Sequence, residues 1–188
     1  MKSDEMLWDD RYRGKKYPDT ADDLIRNYCH LATRGRALDI AAGNGRNSQF
    51  LAENGFKTDA VDISGVAIEL IRGKKPEINC IHQDLDDFEL EPDRYDLIVN
   101  VNFLDRHLFP RIRTGLKKDG ILIFKTFLDT HFQTSVFPDS NKDHYLQSNE
   151  LLHTFLSLQV LFYQEKEVIW PNGEKREEAS LVARKQFG

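Results

Sequence analysis

The chain has 188 residues, 40% of them hydrophobic and 30% charged, the balance of a soluble globular protein with a core of its own. Its formal net charge of -5 argues against a broad nucleic-acid-binding surface, which needs clustered excess Lys and Arg. Cys29 and Cys80 are too few for a disulfide framework or a metal set, residues 1–13 lack the apolar stretch of a signal peptide, and no apolar run is long enough to cross a membrane. The expectation is a reducing cytoplasm, no metal and no membrane partner.

In chain order, residues 1–17 form a polar arm that carries Leu7, Trp8, Tyr12 and Tyr17. The run Pro18-Asp19-Thr20 offers cap residues for a helix with Leu24, Ile25, Tyr28 and Leu31 on one face, closed by Gly35. Apolar runs then alternate with helical stretches. Strands are predicted over 37–40, 58–63, 78–82, 95–101 and 120–127, with helices over 46–54, 64–71 and 105–116. Strands that are apolar almost throughout, separated by helices, indicate a parallel sheet covered on both faces. Residues 128–147 read as a long loop, followed by a short helix from Ser148. Two further strands, 158–169 and 177–184, flank Pro171-Asn172-Gly173, a hairpin-turn signal that implies an antiparallel pair. With no repeat or linker, one domain is expected over 1–188: an arm and helix over 1–34, and a core from 35 onward.

The sharpest motif is Asp39-Ile40-Ala41-Ala42-Gly43-Asn44-Gly45-Arg46-Asn47, where the first core strand runs into the first core helix. Glycines there let the backbone turn tightly and approach a ligand closely. Asp62 ends the second strand about twenty residues on, where a carboxylate accepts both hydroxyls of an adenosine ribose. Asp84 follows the third strand, where a carboxylate accepts from an adenine amino group. A lone Asp at a strand end is ordinarily a cap or turn residue. Three acids at successive strand ends beside a glycine turn face one nucleoside.

A dinucleotide needs a pyrophosphate site of the form Gly-x-Gly-x-x-Gly, and the third position here is Ser48. Asp39 is also poorly placed against a pyrophosphate. It suits the ammonium and sulfonium charges of S-adenosylmethionine, which leaves a nicotinamide-dependent reductase as the disfavoured alternative.

At these residues the chain resembles the class I S-adenosylmethionine-dependent methyltransferases. The segment from Ala37 to Gly45 is similar to their first motif, and Gly45-Arg46-Asn47-Ser48 with Trp8-Asp9-Asp10-Arg11-Tyr12 resembles the tellurite-resistance-type and thiopurine-type branches. The resemblance implies a Rossmann-like three-layer αβα fold with seven strands in the order 3-2-1-4-5-7-6, strand 7 antiparallel. It implies that Asp39 and Gly43 line the methionine part, that Asp62 binds ribose, that Asp84 and Leu85 frame adenine, and that Asn100 ends the fourth strand beneath the methionine. Ala41, Asn44, Gly45, Asn47 and Ile63 complete the expected cofactor shell. Ala41 stands where relatives often carry glycine. Arg11 and Tyr12 are candidate cofactor contacts from the arm, Arg11 through the cofactor carboxylate; the alternative is an arm that only covers the core.

The expected acceptor is a small molecule. A thiol or a reduced chalcogen species needs little help, whereas an oxygen or nitrogen nucleophile calls for a general base. Asp105, Arg106, His107, His131 and His144 lie near the crevice, and Phe103, Phe127, Phe132, Phe137 and Tyr145 are candidates for an acceptor wall, but none is assigned as catalytic. A non-catalytic S-adenosylmethionine-binding module is the other alternative. RNA methylation is disfavoured by the acidic charge.

Overall fold

The computed structural model describes residues 2–14, 17–129, 144–170 and 173–186. In chain order the elements are α1 (Lys2–Gly14), α2 (Asp23–Tyr28), β1 (Arg36–Ile40), α3 (Arg46–Glu53), β2 (Lys57–Asp62), α4 (Gly65–Ile71), β3 (Ile78–His82), β4 (Tyr95–Val101), α5 (Leu108–Gly115), β5 (Leu116–Phe127), α6 (Glu150–Thr154), β6 (Gln159–Ile169) and β7 (Lys175–Arg184). One turn of 3-10 helix, Cys29–Leu31, extends α2.

The strands form one seven-stranded sheet in the order β3-β2-β1-β4-β5-β7-β6. Pairing is parallel from β3 to β5, and β7 runs antiparallel to both β5 and β6. This is the expected Rossmann-like architecture. The strands read as continuous apolar runs because both faces are buried. Leu38, Ile40, Ile98, Leu122 and Phe124 pack with Leu108, Phe109 and Ile112 of α5, Leu151 of α6 and Phe155 just after it. The alternate positions, Ala37, Leu97, Val99, Ile121, Ile123 and Val182, meet Leu24, Ile25 and Leu51 of α2 and α3.

Several boundaries differ from the sequence reading. The arm is a helix over most of its length. Asp22, not Pro18-Asp19-Thr20, caps α2 by accepting from the Leu24 N–H, and helical structure ends at Leu31. α5 starts at Leu108 rather than residue 105, because Asp105 accepts from the His107 N–H in a turn. β5 starts at Leu116 rather than Gly120; Tyr95 pairs with Leu116 across an irregularity before the regular ladder resumes at Leu97 and Ile121. The hairpin is closed by Gly173 N–H to the Trp170 carbonyl and Trp170 N–H to Glu174, each at 2.8 Å. Pro171 and Asn172 lie outside the described residues, as do His131, Phe132 and Phe137 of the long loop.

Candidate functional site

In a parallel sheet, ligands bind at the carboxyl ends of the strands, where the order reverses. Here that point lies between β1 and β4. Asp39, one residue before the end of β1, is 1% exposed. Its Oδ2 accepts from Ser48 Oγ at 2.5 Å, while Oδ1 is sealed from solvent with no hydrogen-bond partner. Burial pushes its pKa up to about 7, against the opposing influence of Ser48 and Arg46. Ser48, which looked like a missing third glycine, thus orients the acid.

The turn after β1 runs through three left-handed residues, Ala41 at φ 51°, Gly43 at φ 57° and Gly45 at φ 75°. A Cβ on Gly43 would stand 2.5 Å from the Tyr12 hydroxyl, and one on Gly45 2.5 Å from an Ile71 side-chain carbon. Both glycines are therefore required by conformation and by close approach. The Gly43 N–H donates to Asp62 Oδ2 at 2.8 Å, and the Gly45 N–H to the Ala42 carbonyl at 3.0 Å.

Asp62 also accepts from the Ser64 N–H at 2.8 Å through Oδ1. Burial raises its pKa, and these two N–H donors oppose the rise. Each carboxylate oxygen accepts more than one bond, so the ribose role stays chemically open. Asp84 is half-buried and opens a turn, its Oδ1 accepting from the Asp86 N–H at 3.1 Å. Leu85 beside it is buried, and the Ile63 carbonyl faces His82 Nε2 at 2.9 Å. Asn100, buried at the end of β4, donates from Nδ2 to the Phe103 carbonyl at 2.7 Å.

Asn44 and Asn47, expected in the cofactor shell, bond the backbone of the preceding segment. Asn44 Nδ2 donates to the Pro18 carbonyl at 2.9 Å, and Asn47 Oδ1 accepts from the Asp22 N–H at 3.0 Å. They hold residues 18–22 along the glycine turn. Asp22 Oδ2 then meets Lys125 Nζ at 2.6 Å, tying that segment to β5, the neighbour of β4.

Helix α1 crosses the ends of three strands. Glu5 lies 3.2 Å from His82 Nε2 at the end of β3. Asp9 Oδ1 accepts from Ser64 Oγ at 2.6 Å and from the Val66 N–H at 3.2 Å, just past β2. Tyr12 reaches the turn after β1, where burial and then Asp62 push its phenol pKa up. Its ring also stacks near Tyr17, at 4.7 Å between centroids. Arg11 lies over the Trp8 ring at 4.7 Å. The sequence reading singled out Tyr12 but missed Asp9, because a lone polar anchor leaves no periodic signal.

Residues 37–120 match the family described as Methyltransferase domain. Over 153 residues the chain is 30% identical to the zebrafish (Danio rerio) N-terminal Xaa-Pro-Lys N-methyltransferase 1, covering 73% of this chain and 67% of that protein. It is also 30% identical over 125 residues to the candidate methyltransferase YqeM of Bacillus subtilis, covering 58% of this chain but only 49%, about half, of the Bacillus protein. The structure of TehB from Haemophilus influenzae superposes with a TM-score of 0.73 at 21% identity, over 96% of this chain and 66% of TehB. Other solved S-adenosylmethionine-dependent methyltransferases share the fold. The chain belongs to the S-adenosylmethionine-dependent methyltransferase family. Among the described residues there is no cluster of metal-ligating side chains, and no helix is long and apolar enough to cross a membrane.

Proposed function

We propose that the chain transfers the methyl group of S-adenosylmethionine to a small-molecule acceptor, releasing S-adenosyl-L-homocysteine. The observation that carries this reading is the sealed, unpartnered Oδ1 of Asp39 beside a left-handed glycine turn. A buried carboxylate oxygen without a partner is costly, and a cationic ammonium beside it removes that cost. The same turn is ill suited to a pyrophosphate: the Gly43 and Gly45 N–H groups are already spent on Asp62 and Ala42. That counts against a nicotinamide cofactor on grounds independent of Ser48.

S-adenosylmethionine supplies an electrophilic methyl group on a sulfonium. The protein's own task is orientation and exclusion of water. Asp39 and Gly43 hold the methionine part, Asp62 and Ile63 the ribose, and Asp84 and Leu85 the adenine. Asn100 shapes the floor, and Ala41, Asn44, Gly45 and Asn47 shape the turn. Helix α1 serves as a cover, with Tyr12 and Arg11 on the cofactor side. A sulfur or chalcogen nucleophile on a small-molecule acceptor needs little help from a base. Of the histidines considered, His107 and His144 are exposed.

The test is titration with S-adenosylhomocysteine and NADH, then transfer of labelled methyl to a panel of small thiols. We expect binding of the first ligand, none of the second, and labelled thioether. Binding of NADH alone overturns the reading. Binding of S-adenosylhomocysteine without transfer to any acceptor favours the non-catalytic module.

A further inference from the structure

Among the described residues, five non-glycine positions have positive φ: Ala41, Asp93, Asn102, Asp119 and Asn149. Asp93 precedes β4, Asp119 sits in the first part of β5, and Asn149 precedes α6. Only Ala41 and Asn102 follow the carboxyl ends of strands, and those strands, β1 and β4, are the neighbours between which the order reverses. Asn102, at φ 61°, has a second peculiarity. Its Oδ1 is sealed from solvent without a hydrogen-bond partner, a condition shared at this end of the sheet by Asp39.

The backbone on either side is tied down. The Asn102 N–H donates to the Lys125 carbonyl at 2.8 Å, and Asn100 Nδ2 holds the Phe103 carbonyl at 2.7 Å. The strained conformation is therefore imposed from outside the side chain, and the carboxamide gains nothing from the protein in return. Unsatisfied polar groups and left-handed non-glycine residues are each uncommon, and both cluster at sites that bind ligands.

We propose that Asn102 recognises the methyl acceptor: its carboxamide holds a neutral polar group, a hydroxyl, amine or amide, carried beside the nucleophilic atom. The proposal rests on the methyl-transfer reading above and narrows its acceptor. A carboxamide offers one acceptor oxygen and two donor hydrogens but no charge. A bare chalcogen oxyanion or a simple alkyl thiol leaves the carboxamide unused. In the transfer itself, a lone pair of the acceptor forms the new bond to the methyl carbon as the carbon–sulfur bond breaks, its electrons remaining on sulfur. Any proton on the nucleophile passes to solvent. Asn102 only fixes the direction of approach.

The experiment is transfer of labelled methyl from S-adenosylmethionine to a metabolite extract, identification of the product by mass, and kinetics on that acceptor with Asn102→Gly and Asn102→Asp. The expected product carries a hydroxyl, amine or amide next to the methylated atom. For Asn102→Gly we expect kcat/KM to fall at least about tenfold, with unchanged affinity for S-adenosylhomocysteine. Its melting temperature should not fall, because glycine accepts this φ without strain. Asn102→Asp, which keeps an acceptor oxygen and tolerates the same φ, should retain most of the activity. A product lacking such a group, or Asn102→Gly working at the wild-type rate, overturns the proposal while leaving methyl transfer intact. A wild-type protein that labels nothing overturns the methyl-transfer reading itself.

Discussion

Ser48 Oγ donates to Asp39 Oδ2 at 2.5 Å, the single hydrogen bond from a side chain to an otherwise sealed carboxylate. Burial has raised the pKa of Asp39 to about 7 from an ordinary 3.8. Between those values the folded chain holds a proton that the unfolded chain has lost, so Asp39 lowers the stability of the ligand-free protein as pH rises through that window. A bound ammonium favours the charged form. Affinity for S-adenosylhomocysteine should therefore rise with pH up to about 7 and then level off, with proton release on binding. Calorimetry in buffers of different ionisation enthalpy measures that release. In Ser48→Ala the inflection should move to higher pH, since the side-chain hydrogen bond favouring the carboxylate is gone while the backbone N–H of residue 48 remains.

Asp62→Ala should have two effects. Loss of the ribose acceptor weakens S-adenosylhomocysteine binding by about 1.5–3 kcal/mol, as for hydrogen bonds to a charged group. Loss of the acceptor for the Gly43 and Ser64 N–H groups lowers the melting temperature of the ligand-free protein. Calorimetry and a thermal melt read the two separately, and unchanged affinity in a folded variant would remove Asp62 from the cofactor shell.

Ala41→Gly should stabilise the chain. Ala41 holds φ 51°, where an L residue is strained and glycine is not. After allowing for the greater freedom of glycine in the unfolded chain, the net gain is about 0.5–1 kcal/mol. That corresponds to about 1–4 °C in melting temperature for a chain of this size. A lower melting temperature would mean that the alanine methyl packs more productively than its backbone suffers.

Deletion of residues 1–17 should leave a folded protein whose melting temperature responds less to S-adenosylhomocysteine. The ligand-induced rise reflects binding to the native state alone, so comparing melts with and without ligand isolates the role of α1. An undiminished rise in the truncated protein, on a lower baseline, would make α1 a core cover only.

The sheet was legible because each central strand is apolar on both faces, as at Leu97, Ile98 and Val99, and such runs have few other readings. The three acids stand out in the sequence because each lies at or just past the end of an apolar strand. Helix α1 was not legible, since its docking face presents Glu5, Asp9 and Tyr12, whose partners His82, Ser64 and Gly43 are remote in sequence. The contacts of Asn44 and Asn47 were not legible either. Both residues sit inside the motif, yet their amides bind the backbone of the preceding segment. Asn102 gave no signal, because positive φ on an asparagine is a property of the folded turn.

The contacts of α1 also carry a length. Glu5 and Tyr12 are seven positions apart, about 10.5 Å along a helix, and they touch the ends of β3 and β1, two strand spacings or about 9.6 Å apart. Asp9 falls between them, at β2. The helix works as a ruler laid across the sheet, its rise matched to the spacing of the strands. One alanine inserted between Asp9 and Tyr12 would turn everything beyond it by about 100° and carry Tyr12 off Gly43, with no change to any anchoring side chain.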